Sequence, residues 1–164
     1  MSQQSDPSIL SPLGKPTEYR STYAPELLYP IPRQLKRDEL GISAAALPFV
    51  GEDIWNAYEV SWLNPRGKPV VALATFWVPA TSPNLVESKS LKLYLNSFNQ
   101  TAFADASAVE ATLRRDLSAA AGAPVSGKIE VLSSRPQPTL GYPQGILLDD
   151  LDIACDTYQP APQQ

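Results

Sequence analysis

Near the middle of this sequence, a carboxylate stands one helical turn ahead of an apolar stripe. In the run Glu87-Ser88-Lys89-Ser90-Leu91-Lys92-Leu93-Tyr94-Leu95-Asn96-Ser97-Phe98, the residues Leu91, Tyr94, Leu95 and Phe98 recur at i, i+3, i+4 and i+7, the period of one helix face. Glu87 extends that stripe, which puts its carboxylate on the inward side of the first turn. A buried anion there can be held by the helix N-terminus and by a ligand that donates hydrogen bonds. Its two oxygens match the paired N–H groups on the edge of a guanine-like ring. The other reading is a glutamate that only complements the helix dipole, and the pattern alone favours it. With Glu87 replaced by Leu the stripe gains an apolar member, so folding should survive. Lys89 and Lys92 lie off the stripe at three-residue spacing, where they either bind a phosphate or solvate the helix.

The remaining candidates are weaker. Asp149, Asp150, Asp152 and Asp156 offer oxygen ligands for a hard cation, but their spacing lacks the glycine and terminal glutamate of a calcium loop. Asp150, Asp152 and Asp156 share parity on a strand, which suits a solvated face. Cys155, in Ile153-Ala154-Cys155-Asp156, has no basic neighbour to lower its pKa and reads as an inert thiol, not a nucleophile. Arg33, Lys36 and Arg37 form a basic cluster followed at once by Asp38 and Glu39, a solvated loop or helix end before a phosphate site.

Composition removes whole classes of chemistry. The 164 residues contain no histidine and one cysteine, so a Ser-His-Asp or Cys-His site, a Cys/His zinc site and an intramolecular disulfide are excluded within them. A net charge of -4 has the wrong sign for nucleic-acid binding. The longest apolar stretch, residues 70–78 with Thr75 inside it, falls far short of the roughly 20 residues of a membrane helix. The N-terminus lacks a basic-then-apolar signal pattern. A cytoplasmic protein with no membrane or nucleic-acid partner is expected.

The elements that position Glu87 follow from proline and periodicity. Seven of the 17 prolines lie in the first 53 residues, and none lies between Pro83 and Pro124, where helices are therefore expected. Residues 13–50 carry apolar clusters broken by prolines, which predicts extended chain and one short helix over a core. From Asp53 the period becomes two, with Ile54, Asn56, Tyr58, Val60 and Trp62 alternating with Trp55, Ala57, Glu59, Ser61 and Leu63. The turn Asn64-Pro65-Arg66-Gly67 then leads to the β-rich run 69–79, completing a hairpin. After the Glu87 helix, Ser107 and Glu110 form a capping-box pattern for a second helix through Val109, Leu113 and Leu117, ending at Gly122. Residues 128–133 and 145–158 are two further strand candidates. The order is strand, strand, helix, helix, strand, strand.

The run from Glu87 to Phe98 resembles the signature helix of the QueF family, the NADPH-dependent 7-cyano-7-deazaguanine reductases. The resemblance continues through Leu13-Gly14-Lys15, Tyr19, Leu47-Pro48-Phe49, Gly51, Asp53-Ile54-Trp55, Tyr58-Glu59, Ser61-Trp62-Leu63 and Arg115-Asp116-Leu117, and is to the N-terminal half of the two-module form. It implies an α+β tunnel fold, an antiparallel sheet with two helices inserted between the second and third strands. It further implies reduction of a nitrile (preQ0) to a primary amine (preQ1) with two NADPH, in the queuosine pathway of tRNA modification. Val86, Glu87 and Ser88 would bind the deazaguanine, and Ser88 and Lys89 would touch NADPH. The expected organisation is a flexible N-terminus over 1–12, a proline-rich segment over 13–53, the tunnel-fold module over 54–158 and a tail over 159–164 leading to a second module. Tunnel folds assemble edge to edge, so a homo-oligomer is implied.

The departures from the family are as informative. One-module relatives carry a nucleophilic cysteine and a proton-donating aspartate in a C-P-x-T-G-Q-P-D segment, where this chain has Asn64-Pro65-Arg66-Gly67-Lys68-Pro69-Val70. Their histidine-glutamate pair after the signature is absent too, since Phe98 leads into Asn99-Gln100-Thr101-Ala102-Phe103. No catalytic residue is therefore expected in this chain, Cys155 included. In two-module enzymes these groups come from the second module, covalently attached or in trans. The competing reading is a catalytically silent tunnel-fold module that binds a purine-like ligand or serves only in assembly. A cyclohydrolase-like relative is disfavoured, because its metal ligands include histidine.

Overall fold

The computed structural model describes residues 19–134, 141 and 144–154. Its centre is the expected hairpin, β2 (Glu52–Leu63) against β3 (Pro69–Pro79), with β1 (Pro30–Pro32) preceding it. The connecting turn closes on itself: Asn64 Oδ1 accepts from the backbone amides of Arg66 and Lys68, each at 2.9 Å, and Gly67 takes a left-handed φ of 78°. β5 (Ser126–Val131) adds to β3, giving an antiparallel sheet of order β2-β3-β5 with β2 at one edge. The short β4 (Asn84–Val86) pairs instead with β1, antiparallel, placing Pro30 opposite Val86.

Among the described residues, three α-helices complete the α+β architecture: α1 (Gln34–Glu39), α2 (Ser88–Asn96) and α3 (Ala106–Ala121). Both longer helices fall in the proline-free interval. Sheet residues Val60, Trp62, Ala72, Ala74 and Phe76 form one core with Leu91, Tyr94 and Phe98 of the α2 segment and Val109, Leu113 and Leu117 of α3. The predicted stripe of α2 is therefore the buried one. Among the described residues no helix is long and apolar enough to cross a membrane.

Four expectations are corrected. The single alternation through β2 is interrupted by a β-bulge between Ala57 and Val60, so that Trp55 and Ala57 turn inward before it and Val60 and Trp62 after it. One extra residue in a strand reverses the face of everything beyond it. The cap of α3 is Asp105, which accepts from Ala108 N at 2.8 Å, and Glu110 accepts from Ile129 N of β5 at 3.2 Å in place of closing a capping box. Gly122 does end the helix, with φ 71°, and a Cβ there would lie 2.7 Å from Pro83. Residues 145–154 form no strand: a turn brings Leu151 N to Leu148 O at 3.1 Å, and Ile146, Leu147, Leu148, Leu151 and Ile153 are exposed. The Asp149-Asp150 pair favours a turn there, and among the described residues no strand pairs with this segment. Residues 155–158 of that candidate lie outside the described residues. Finally, the basic cluster at α1 is not simply solvated. The Arg33 guanidinium is buried against Asp53 and Ser82, while Arg37 donates to Ala80 O and stacks over Phe49.

The N-terminal segment runs along α2 as a strap. Its backbone amides at Tyr23, Ala24 and Tyr29 donate to the hydroxyls of Thr101, Ser97 and Ser90 at 2.8, 3.1 and 3.0 Å. Tyr23 also reaches across to α3, where the buried Asp116 accepts from Tyr23 OH and Tyr94 OH, both at 2.6 Å, and from Arg115 Nε at 2.9 Å. Burial and the adjacent carboxylate raise both tyrosine hydroxyls above their ordinary pKa. Strap, α2 and α3 are thus joined at one anionic centre.

Candidate functional site

Glu87 occupies the N-cap of α2 in extended conformation, φ -66° and ψ 134°. Its carboxylate is buried and divided between two backbone amides: Oε1 accepts from Lys89 N at 2.9 Å and Oε2 from Ser90 N at 2.7 Å. These are the orphan donors of the first helical turn, and an anion is favoured where they converge. The Glu87 main chain is fixed as well. Its N–H donates to Tyr29 O at 2.9 Å, and its carbonyl accepts from Ser90 Oγ at 2.7 Å and from Leu91 N at 3.0 Å. The capping role confirms that the carboxylate serves the helix start. Each oxygen nevertheless has a second lone pair, so this role leaves acceptor capacity for a ligand. It adds a cost to Glu87→Leu that a protein of ordinary stability can bear while staying folded. Leucine would remove both cap bonds, a cost of about 1–2 kcal/mol.

Beside this helix start lies a cleft of about 540 Å³ between α2 and the bulged edge of β2. Ser88, Lys89, Lys92, Asn96 and Asn99 line the helix side, and Trp55, Tyr58 and Glu59 line the strand side. The buried Phe76 and Leu91 and the half-buried Ala57 also line the cleft, as does the largely exposed Tyr19. Aromatic side chains and two lysines lining one cleft suit a ligand with a flat ring and an anionic group. Asn99 is fixed by two partners, accepting from Ser61 Oγ at 2.6 Å and donating to Asn96 Oδ1 at 3.1 Å.

The sequence-predicted residues are therefore brought together unequally. Ser88 and Lys89 face the cleft, as does Lys92. Glu87 sits behind them at the cap, and Val86 ends β4 in the core, where it borders a small apolar gap with Asp53, Trp55 and Leu85. The strand wall was missed because a bulge has no unique residue signature. In the sequence, apolar residues stand on both parities (Ile54, Trp55, Ala57, Tyr58, Val60, Trp62, Leu63), and it is the more buried positions that switch from odd (Trp55, Ala57) to even (Val60, Trp62) at Tyr58-Glu59. Asp149, Asp150 and Asp152 are exposed in and beside the turn, whereas Cys155 and Asp156 lie outside the described residues. The self-satisfied Asn64 turn carries neither a thiol nor an acid.

Residues 19–129 match a family described as nitrile reductase, 7-cyano-7-deazaguanine-reductase N-term. Relatives named NADPH-dependent 7-cyano-7-deazaguanine reductase include one from Dechloromonas aromatica, 70% identical over 96% of this chain and 56% of its own length. Those from Aromatoleum aromaticum and Ralstonia nicotianae are 66% and 54% identical, each over 93% of this chain and 54% and 55% of their own lengths. The chain spans about half the length of these curated relatives.

Proposed function

The chain belongs to the 7-cyano-7-deazaguanine reductase N-terminal family, and on that premise we propose that it is the ring- and cofactor-binding half of a two-module, NADPH-dependent nitrile reductase. The whole enzyme would reduce 7-cyano-7-deazaguanine to the 7-aminomethyl compound in queuosine biosynthesis, in the cytoplasm. The observation that carries this reading is the start of α2, where a buried, pre-positioned carboxylate adjoins a cleft bearing Ser88 and Lys89. Val86, Glu87 and Ser88 hold the deazaguanine, the Glu87 oxygens accepting from its paired N–H groups through the lone pairs that the helix leaves open.

The donor set of the cleft fits NADPH. Lys89 and Lys92 offer positive charge to its phosphates, Ser88 and Asn96 offer neutral hydrogen bonds, and Trp55 and Tyr58 offer apolar surface to a flat ring. When bound, this cofactor supplies hydride. The residues of this chain bind and orient; the addition of a thiolate to the nitrile carbon requires a cysteine from the second module. Identity with relatives nearly twice as long supports that division. We further assign the strand-helix-strand order to the tunnel fold, with 54–158 as the module, 13–53 as its packed extension and 1–12 and 159–164 as flanks. The paired sheets of such modules would close by self-association, with β2 as an available edge.

The test is substrate affinity in the two-module enzyme carrying Glu87→Gln, which keeps one cap acceptor where leucine keeps none. Losing a charged hydrogen bond to the ring should weaken binding of 7-cyano-7-deazaguanine by roughly ten- to a hundredfold. Unchanged affinity in the folded variant would return Glu87 to the role of helix cap alone.

A further inference from the structure

Two buried serines on α2 and its continuation make the same pair of hydrogen bonds at opposite ends of the strap. Ser97 Oγ donates to Tyr94 O at 2.6 Å and accepts from Ala24 N at 3.1 Å. Ser90 Oγ donates to Glu87 O at 2.7 Å and accepts from Tyr29 N at 3.0 Å. Both side chains are fully buried, and both hydroxyls use a donor and an acceptor as serine permits. They differ in what they hold. Ser97 grips a carbonyl in the body of the helix, whereas Ser90 grips the residue that carries the candidate ring-binding carboxylate.

Around Glu87 the bonds close a circuit. Tyr29 donates through its N–H to Ser90 Oγ and accepts through its carbonyl from Glu87 N, while Ser90 donates through Oγ to Glu87 O and through N to Glu87 Oε2. Glu87 is thereby tied at its amide, its carbonyl and one carboxylate oxygen to two residues that do not line the cleft, while its other oxygen is held by Lys89 N. We propose that Ser90 is a positioning residue for substrate, fixing the Glu87 carboxylate through this circuit so that the direction of its remaining lone pairs is set before the ring arrives. The proposal rests on the reading of Glu87 as the ring ligand. Pre-organisation of this kind lowers the cost of binding and is lost when a supporting hydroxyl is removed.

The matched geometry of the two serines supplies the control. In the two-module enzyme, Ser90→Ala and Ser97→Ala each remove one strap anchor, and both should lower the melting temperature by comparable amounts. Only Ser90→Ala should weaken 7-cyano-7-deazaguanine binding, by about three- to tenfold, the scale of one ordinary hydrogen bond. The KM for NADPH should stay within about twofold of wild type in both variants. If Ser90→Ala folds poorly, Ser90→Cys retains volume and a weak donor and should show a smaller loss of the same kind. Equal weakening by the two alanine variants, or wild-type affinity in Ser90→Ala or Ser90→Cys beside a weakened Glu87→Gln, would overturn the positioning role alone. Wild-type affinity in Glu87→Gln as well would overturn the ring-ligand reading and the positioning role with it.

Discussion

A polypeptide of these 164 residues, mixed with 7-cyano-7-deazaguanine and NADPH, is expected to oxidise no NADPH above the background rate. Covalent activation of a nitrile needs a nucleophile and a proton donor, and the proposed function places both in the second module; the segment that the family resemblance assigns to them is here a turn closed by Asn64. Removal of the nucleophile from other covalent enzymes costs about 10⁴-fold or more, because the catalytic groups act as a unit. Positioning by the cleft cannot replace the missing addition step. Supplying a module with the C-P-x-T-G-Q-P-D segment, as a separate chain that pairs through its sheet edge, should restore substrate-dependent oxidation. The assay is the absorbance of NADPH. Turnover by the single purified chain would show that its own residues hold the catalytic groups.

Replacing Asp116 by Ala should give the largest loss of stability of any single change at the polar centre beneath α2. The carboxylate accepts from two tyrosine hydroxyls at 2.6 Å, and Tyr94 is fully buried. Hydrogen bonds to a charged group are worth about 1.5–3 kcal/mol each, and the substitution also leaves hydroxyls without their acceptor, so a loss of about 3–5 kcal/mol is expected. Arg115, with its side chain largely in solvent, adds little to that figure. Asp116→Asn retains one accepting oxygen and should lose less. Urea unfolding with unchanged m-value is the measurement; a loss below about 1 kcal/mol for Asp116→Ala would show that the strap and helices hold together without this centre.

How much of this was legible in the sequence depended on whether a feature is local. The stripe Leu91, Tyr94, Leu95, Phe98 identified both α2 and its buried face, because helical period and burial are carried by the same residues. The hairpin was equally plain from alternation and the Asn64–Gly67 turn signal. Long-range features were not. β1 pairs with β4 across more than fifty residues through three-residue strands, two of whose positions are prolines with no amide to donate, and no periodicity announces such a pair. The strap was read as extended chain on a core, but its docking onto Ser90, Ser97 and Thr101 was hidden, since serines in a helix look the same whether they face solvent or a partner backbone. Asp105 and Ser107 are both acceptable caps, and backbone geometry selected the former. At the site, the inward carboxylate was foreseen, whereas the strand wall of the cleft appeared only with the bulge that turns Tyr58 and Glu59 outward together.

The division of labour, with binding here and the nucleophile elsewhere, is tested most directly by locating the covalent adduct. The two-module enzyme is incubated with 7-cyano-7-deazaguanine without NADPH, and the protein mass is mapped to its peptides. A gain of one substrate mass is expected on a cysteine outside these 164 residues and none on Cys155, whose sequence neighbours include no cationic residue to lower its pKa. A substrate-mass adduct on the Cys155 peptide, lost in Cys155→Ala, would contradict it.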